Sequence, residues 1–427
     1  MKEIYEKTVN KNGANFHFIP TKKFKTIAIT AKFKAPLSRD TITQRALIPH
    51  VLQQGTQSYP DRIALQQKLD SLYGALLSMN GTKKGNNHIM TIRLETANQK
   101  FISNEAAIMD EAITLFNEVI FNPKREHGIF PQSIVDREKE TLKQKINGVA
   151  DDKMRLANMR ILDEMCKDER YKLHIQGYEE DLETITPDDL YACYQSMLEE
   201  DELDIYVSGD IDPDKIEDKL SAVFTRKDVN NRLPHEEEPV DQHKEVRTII
   251  EKQDVQQAKL HFGYRTHISF QNDDYFALHV FNGLFGGFPS SKLFINVREK
   301  NSLAYYAASR FESHKGLLFV FSGIAPNDYE QAREIIEEQM QAMKNGDFTE
   351  NELADTKQLI INQLLETMDS ARGMVELMYQ QVVGCAERPP EKLIEGIKSV
   401  SKEDVIRVAE KLELDTVYLL TRGDMDE

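Results

Sequence analysis

ITPDDLYACYQSMLEEDELDIYVSGD, from Ile185 to Asp210, and VSKEDVIRVAEKLELDTVYLLTRGD, from Val400 to Asp424, are one motif written twice. Thr186 and Ser401 suit helix N-caps, because a side-chain hydroxyl oxygen accepts from an orphan N–H of the first turn. The acidic residues that follow, Asp188 and Asp189 or Glu403 and Asp404, favour the positive end of the helix dipole. Each amphipathic helix then leads into an apolar strand that stops at Gly209 or Gly423. The same cap, helix and strand at the ends of two segments of similar size points to duplication.

Between the copies lies RKDVNNRLPHEEEPVDQHKE, Arg226 to Glu245, which is polar, carries two prolines and has no apolar periodicity. Read as a linker, it separates an N-terminal domain, 1–225, from a C-terminal domain, 246–427, each within the usual domain size. Its acidic run Glu236 to Glu238 reads as a solvated face. In the first half, Thr26 to Phe33 alternates as a strand, and Thr43 to Gln54 and Arg62 to Tyr73 read as helices. Ser78 to Leu94 reads as a hairpin turning at Gly81 to Gly85. Ser103 to Phe121 and Ser133 to Ile146 have helical periodicity. In the second half Val255 to Tyr264, Tyr305 to Phe311 and Gly316 to Ile324 are strand-like, and Tyr329 to Lys344 and Glu350 to Met368 helical. Strands and helices are mixed rather than strictly alternating, so the expected class is α+β. The expected architecture is two homologous lobes, each a mainly antiparallel sheet packed with helices.

The 427 residues are 40% hydrophobic, enough for a large core, and carry a formal charge of -17. That charge repels phosphate backbones and anionic lipid, so neither nucleic acid nor membrane is an expected partner. Cys166, Cys193 and Cys385 are far apart and make no C-x-x-C pair, which fits a reducing compartment. Met1 to Phe18 lacks the apolar stretch of a signal peptide, and the expected location is cytoplasmic.

Catalytic signatures are missing. The eleven histidines form no H-E-x-x-H or H-x-x-E-H, Gly283, Gly286 and Gly287 lack the Lys-Ser or Lys-Thr of a phosphate loop, and no G-x-S-x-G elbow occurs. On residue chemistry alone, no cofactor is expected.

ALIPHVLQQGTQSYP, Ala46 to Pro60, nevertheless resembles a segment of the pitrilysin and mitochondrial-processing-peptidase type of zinc metallopeptidase that reads H-F-L-E-H-M-x-x-x-G-T-x-x-Y-P. Aligned on Gly55 and Thr56, the first family histidine becomes Ala46, the catalytic glutamate Pro49, and the second histidine stays as His50. EKETLKQKI, Glu138 to Ile146, is similar to the helix that carries the distal metal ligand and puts Lys145 at that position, with Glu138 and Glu140 as alternative registers. The resemblance therefore implies a dismantled metal site: zinc needs its histidines and carboxylate, and an ammonium repels it. His50 alone reads as a packed relic, and Pro49 is expected to kink its helix. GALLSM, Gly74 to Met79, departs from the family's substrate strand G-A-x-x-N-A.

GLFGGFPSSKLFINVREKNSLAYY, Gly283 to Tyr306, resembles the family's L-G-G-G-x-x-S-R-L-F-x-x-V-R-E-K-x-G-L-A-Y more fully. Its arginine and final tyrosine map onto Arg298 and Tyr305, with Ser302 in place of the glycine. In the family these two side chains approach peptide bound at the facing domain's metal, so they are the candidate substrate-binding residues here. The alternative for them is a salt bridge to Glu299 and a buried ring. The resemblance thus implies one half of a clam-shell. It would be an inactive metallopeptidase-like subunit that pairs with a homologous catalytic subunit bearing an intact H-x-x-E-H zinc site and positions a peptide substrate. A structural scaffold subunit and a stand-alone peptide-binding protein are the alternative readings.

Overall fold

Both repeated motifs close on capping boxes. Thr186 Oγ1 accepts from Asp189 N at 3.2 Å while Asp189 Oδ2 accepts from Thr186 N at 3.0 Å. Ser401 and Asp404 do the same at 3.1 and 2.9 Å. Two orphan donors are satisfied in each case, which sets where the helices Pro187–Glu200 and Lys402–Lys411 begin. The structure is a computed structural model that describes residues 4–102, 107–224, 226 and 245–423. Of the expected linker, Arg226 to Glu245, residues 227–244, with Glu236 to Glu238, lie outside the described residues. Arg226, at its start, is tied to the first lobe through Gly13 O at 3.2 Å.

The strands are β1 (Lys7–Lys11), β2 (Ala14–Pro20), β3 (Thr26–Pro36), β4 (Leu76–Lys84), β5 (Asn87–Ala97), β6 (Glu202–Gly209), β7 (Arg247–Lys252), β8 (Ala258–Arg265), β9 (Ala304–Glu312), β10 (Leu317–Ile324) and β11 (Glu413–Thr421). They form two sheets ordered β1-β2-β6-β3-β5-β4 and β7-β11-β8-β10-β9. Leaving out β1, the two orders correspond strand for strand, and each contains one parallel pair at the same place, β2 with β6 and β7 with β11. The remaining pairs are antiparallel. The fold is therefore α+β with two lobes of like topology.

Helices α1 (Ile42–Leu52), α2 (Arg62–Ser71), α3 (Ile108–Phe121), α4 (Gln132–Asn147) and α5 (Lys153–Met165) follow in the first half. One face of each sheet is buried by helices of its own half: Leu47, Phe116 and Tyr194 cover the first, Phe281, Ile336 and Val408 the second. The opposite faces are covered by exchange. Ala157, Ile161 and Met165 of α5 pack on Leu317, Phe319 and Tyr418 of the second sheet. In return Met374, Met378 and Tyr379 of the Ala371–Val383 helix pack on Ile19, Ile89 and Tyr206 of the first. At about 1.5–3 kcal/mol for each large apolar side chain removed from water, this swap binds the lobes firmly. Polar pairs accompany it, with Lys32 of β3 meeting Glu376 at 2.5 Å and Arg160 of α5 meeting Glu251 of β7 at 3.0 Å.

Two local expectations need correction. The hairpin does not turn at Gly81: β4 continues through it, opposite Met90, and the chain reverses after Lys84. A Cβ at Gly81 would lie 3.1 Å from His88 Nε2, so the glycine makes room for an imidazole inside a strand. Helix α1 runs through Pro49. The ring costs the one N–H that would have reached the Arg45 carbonyl, and burial of the flanking residues holds the helix together. The helix stops at Leu52, short of Gln54, where Gln53 and Gln54 turn their amides back onto the carbonyls of Pro49 and His50 at 2.9 and 3.1 Å. Among the described residues no helix is long and apolar enough to cross a membrane.

Candidate functional site

Helix α1 packs against α4 and against the edge strand β4, and its last turn is anchored by the G-T-x-x-Y-P segment. Thr56 N donates to Tyr59 O at 2.7 Å, and Tyr59 N donates to Thr56 Oγ1 at 3.0 Å. Gly55 sits at φ +146°, and a Cβ there would lie 2.7 Å from Tyr59 O. The G-T-x-x-Y-P segment is therefore a turn that fixes the end of the helix.

On that helix His50 meets α4. Its Nδ1 faces Glu138 Oε2 at 3.7 Å, and its Nε2 lies 3.3 Å from Lys145 Nζ. Burial and the neighbouring Lys145 ammonium push the His50 imidazole below its ordinary pKa, against a smaller opposing pull from Glu138. Glu138 is buried and engaged by Arg137 Nε at 2.9 Å, while Arg137 Nη2 donates to Gln54 Oε1 at 2.7 Å. Ala46 and Pro49, one turn and one residue earlier, are buried and bring no ligand atom. The Glu140 carboxylate receives the Gln144 amide at 3.4 Å.

These residues do not fit a zinc ion. One imidazole and one carboxylate already paired to a guanidinium fall short of the three or four donors that zinc requires, and an ammonium touches the remaining imidazole nitrogen. Among the described residues no group of three or more His, Cys, Asp and Glu is placed to hold a metal. The dialysed protein is expected to carry no stoichiometric zinc by atomic emission and to show no melting shift in excess zinc. Lys145→Glu puts a second carboxylate beside His50 and Glu138. It should gain a zinc-dependent stabilisation that approaches about 2.7 kcal/mol at a hundredfold excess over Kd. Stoichiometric zinc in the unaltered chain would overturn this account.

In the second lobe the glycine cluster serves packing. A Cβ on Gly286 would lie 2.6 Å from Ser309 N and 2.5 Å from its Oγ, so only glycine lets the turn at Gly283–Gly287 lie on strand β9. Both this turn and Phe294–Lys300 are π-helical, a wider winding that recurs at functional sites. Arg298 stands on the second of them, its guanidinium 4.6 Å above the Phe294 ring and its Nε 3.6 Å from Glu299. Its side chain is 43% exposed, and the distance to Glu299 is that of a loose surface pair.

The chain enters β9 through Ser302 at φ +52°, a left-handed conformation that glycine adopts more readily. The corresponding edge strand of the first lobe, β4, is entered through Gly74 at φ +70°. Tyr305, near the start of β9, is 75% exposed rather than buried. Tyr306 is the ring that packs, over Gly323 and beneath Lys259. Arg298 and Tyr305 are thus exposed near β9, which has a strand neighbour on one side alone among the described residues. His50 and Lys145 lie in the other lobe, and no hydrogen bond joins the two groups among the described residues.

A family model described as the peptidase M16 inactive domain matches residues 184–360. The chain is 46% identical over 420 residues to the probable inactive metalloprotease YmfF of Bacillus subtilis, covering 98% of each. The chain belongs to the M16 peptidase family. It is an inactive metalloprotease homologue within that M16 family. It is also 25% identical over 319 residues to the uncharacterized zinc protease YmxG of B. subtilis, covering 72% of this chain and 74% of the other. The crystal structure of a conserved protein from Enterococcus faecalis V583 shares the fold, with a TM-score of 0.90 at 31% identity over 99% of this chain and 100% of that one. Ala46 and Pro49 lie on α1 and Lys145 on α4. Sequence reading did not find Arg137, which ties α4 to Gln54, because a charged residue at the surface of a helix carries no pattern of its own.

Proposed function

We propose that this chain is the non-catalytic half of a peptide-processing pair, and that a homologous subunit with an intact H-x-x-E-H site supplies the zinc. A homologue named as a zinc protease exists in B. subtilis, which is the kind of partner required. The observation that carries the reading is selective loss. His50 faces an ammonium where a metal would need a carboxylate, yet Arg298 and Tyr305 are retained and exposed at the edge of β9. A guanidinium and a phenol both donate hydrogen bonds to a peptide carbonyl or to the oxyanion formed during its hydrolysis. An extended peptide adds readily to a free sheet edge.

The chain alone should not cleave peptide; mixed with its zinc-bearing partner it should. In the reconstituted pair, Arg298→Ala with Tyr305→Phe removes two donors worth about 1 kcal/mol each and should lower kcat/KM roughly 30-fold. Steady-state cleavage of a quenched-fluorescence peptide measures it. An unchanged rate would point to a scaffold role instead.

A further inference from the structure

The vestigial metal pocket has lost zinc without losing its positive charge. We infer that Lys145, seated against His50 between α1 and α4, is a binding site for a peptide carboxylate. This rests on the reading that the chain holds peptide, but uses residues of the other lobe. An ammonium only donates, so His50 Nε2 is the acceptor in their 3.3 Å contact, and the ring proton lies on Nδ1, toward Glu138. Lys145 is exposed, and this contact engages one of its three N–H groups. The other two are available to an acceptor from solvent.

Glu138 does not neutralise the pocket, because Arg137 binds it at 2.9 Å. Arg137 and Lys145 against Glu138, with a neutral His50, leave one net positive charge on a protein whose overall charge is -17. Imidazole is a poor competitor for an ammonium beside a carboxylate, since a charge-assisted hydrogen bond is about twice as strong as a neutral one. Pro49, one residue before His50, brings no acidic side chain there. Helix α1, which carries His50, also packs on the edge strand β4. The carboxylate comes from a peptide C-terminus or from an Asp or Glu side chain.

The test uses the whole chain and three short unstructured peptides. One is a neutral sequence with a free C-terminal carboxylate, the second is its C-terminal amide, and the third is the amide with one internal glutamate. Fluorescence anisotropy gives Kd, and ring NMR of labelled histidine reports contact at His50. The free acid should bind, shift the His50 resonances and lose about tenfold in affinity in Lys145→Met, with Lys145→Arg restoring most of it. Tight binding of the third peptide as well assigns the side-chain source. Binding by the free acid alone assigns the C-terminus. Equal affinity for free acid and amide, an unshifted His50, or an unchanged Kd in Lys145→Met overturns the inference. Arg298→Ala with Tyr305→Phe in the cleavage assay is scored separately, so the pairing reading can fail while the carboxylate site stands, and the reverse.

Discussion

Glu169→Ala is expected to cost about 3–5 kcal/mol, the range for removing one partner of a buried ion pair. Glu169 follows α5 and is 2% exposed. Its Oε1 lies 2.7 Å from Arg265 Nη2 and its Oε2 2.7 Å from Lys315 Nζ, both on the second lobe. Arg265 also binds Asp415 at 3.0 Å and the Met165 carbonyl at 2.6 Å, and Asp415 in turn binds Arg247 at 2.9 Å. Removing the carboxylate therefore takes a buried negative charge from between two cations at the seam where α5 crosses between lobes. Urea unfolding followed by circular dichroism measures the loss. Glu164→Ala removes the partially exposed pair with Arg160 at 3.2 Å and should change stability by no more than about 1 kcal/mol. Similar values for both variants would refute the argument.

Acidification should destabilise the protein almost as strongly. Burial holds His88 and His261 at about 3, helped in His88 by the Arg45 guanidinium. Burial likewise holds His279 and His314 at about 4. Unfolded, each titrates near the ordinary histidine value of about 6.5. Below that the unfolded state binds protons that the folded state refuses, so their stabilisation is present above it and is lost as the pH falls toward the folded values.

His17 has the opposite sign. Burial lowers it, but the carboxylates of Asp204 at 3.1 Å and Glu6 at 2.9 Å together outweigh that and raise it to about 9. Its contribution is full below the unfolded value and is lost as pH rises through about 9. Four groups against one, at about 1.4 kcal/mol per pH unit each, give a net loss of about 4 kcal/mol between roughly pH 7.5 and 5.5. Urea midpoints across that window check it; a flat profile would show that these imidazoles reach solvent. His261→Gln, which cannot titrate, should remove about a quarter of the acid sensitivity of the four.

Much of the fold was legible in residue order. Caps at Thr186 and Ser401 and the helix Tyr329–Lys344 are local features, set by hydrogen bonds within four residues and by one apolar stripe. The exchange of α5 and the Ala371–Val383 helix was not legible. Amphipathic helices announce a buried face but not which sheet buries it, and here each finds the sheet of the other half. Gly81 was misread for a related reason: a glycine that admits His88 from the neighbouring strand looks the same in sequence as one that turns the chain.

At the candidate site the sequence by itself determined which side chains are on offer: Ala46 and Pro49 carry no side-chain donor atom, and a protonated Lys145 repels a cation. It also determined that Arg298 and Tyr305 are present. Only the tertiary structure decided that Lys145 lies against His50, 95 positions away, that Glu138 is taken by Arg137, and that Tyr305 rather than Tyr306 faces solvent. Residue type fixes which bonds an atom is able to make, whereas long-range packing fixes which partner it meets.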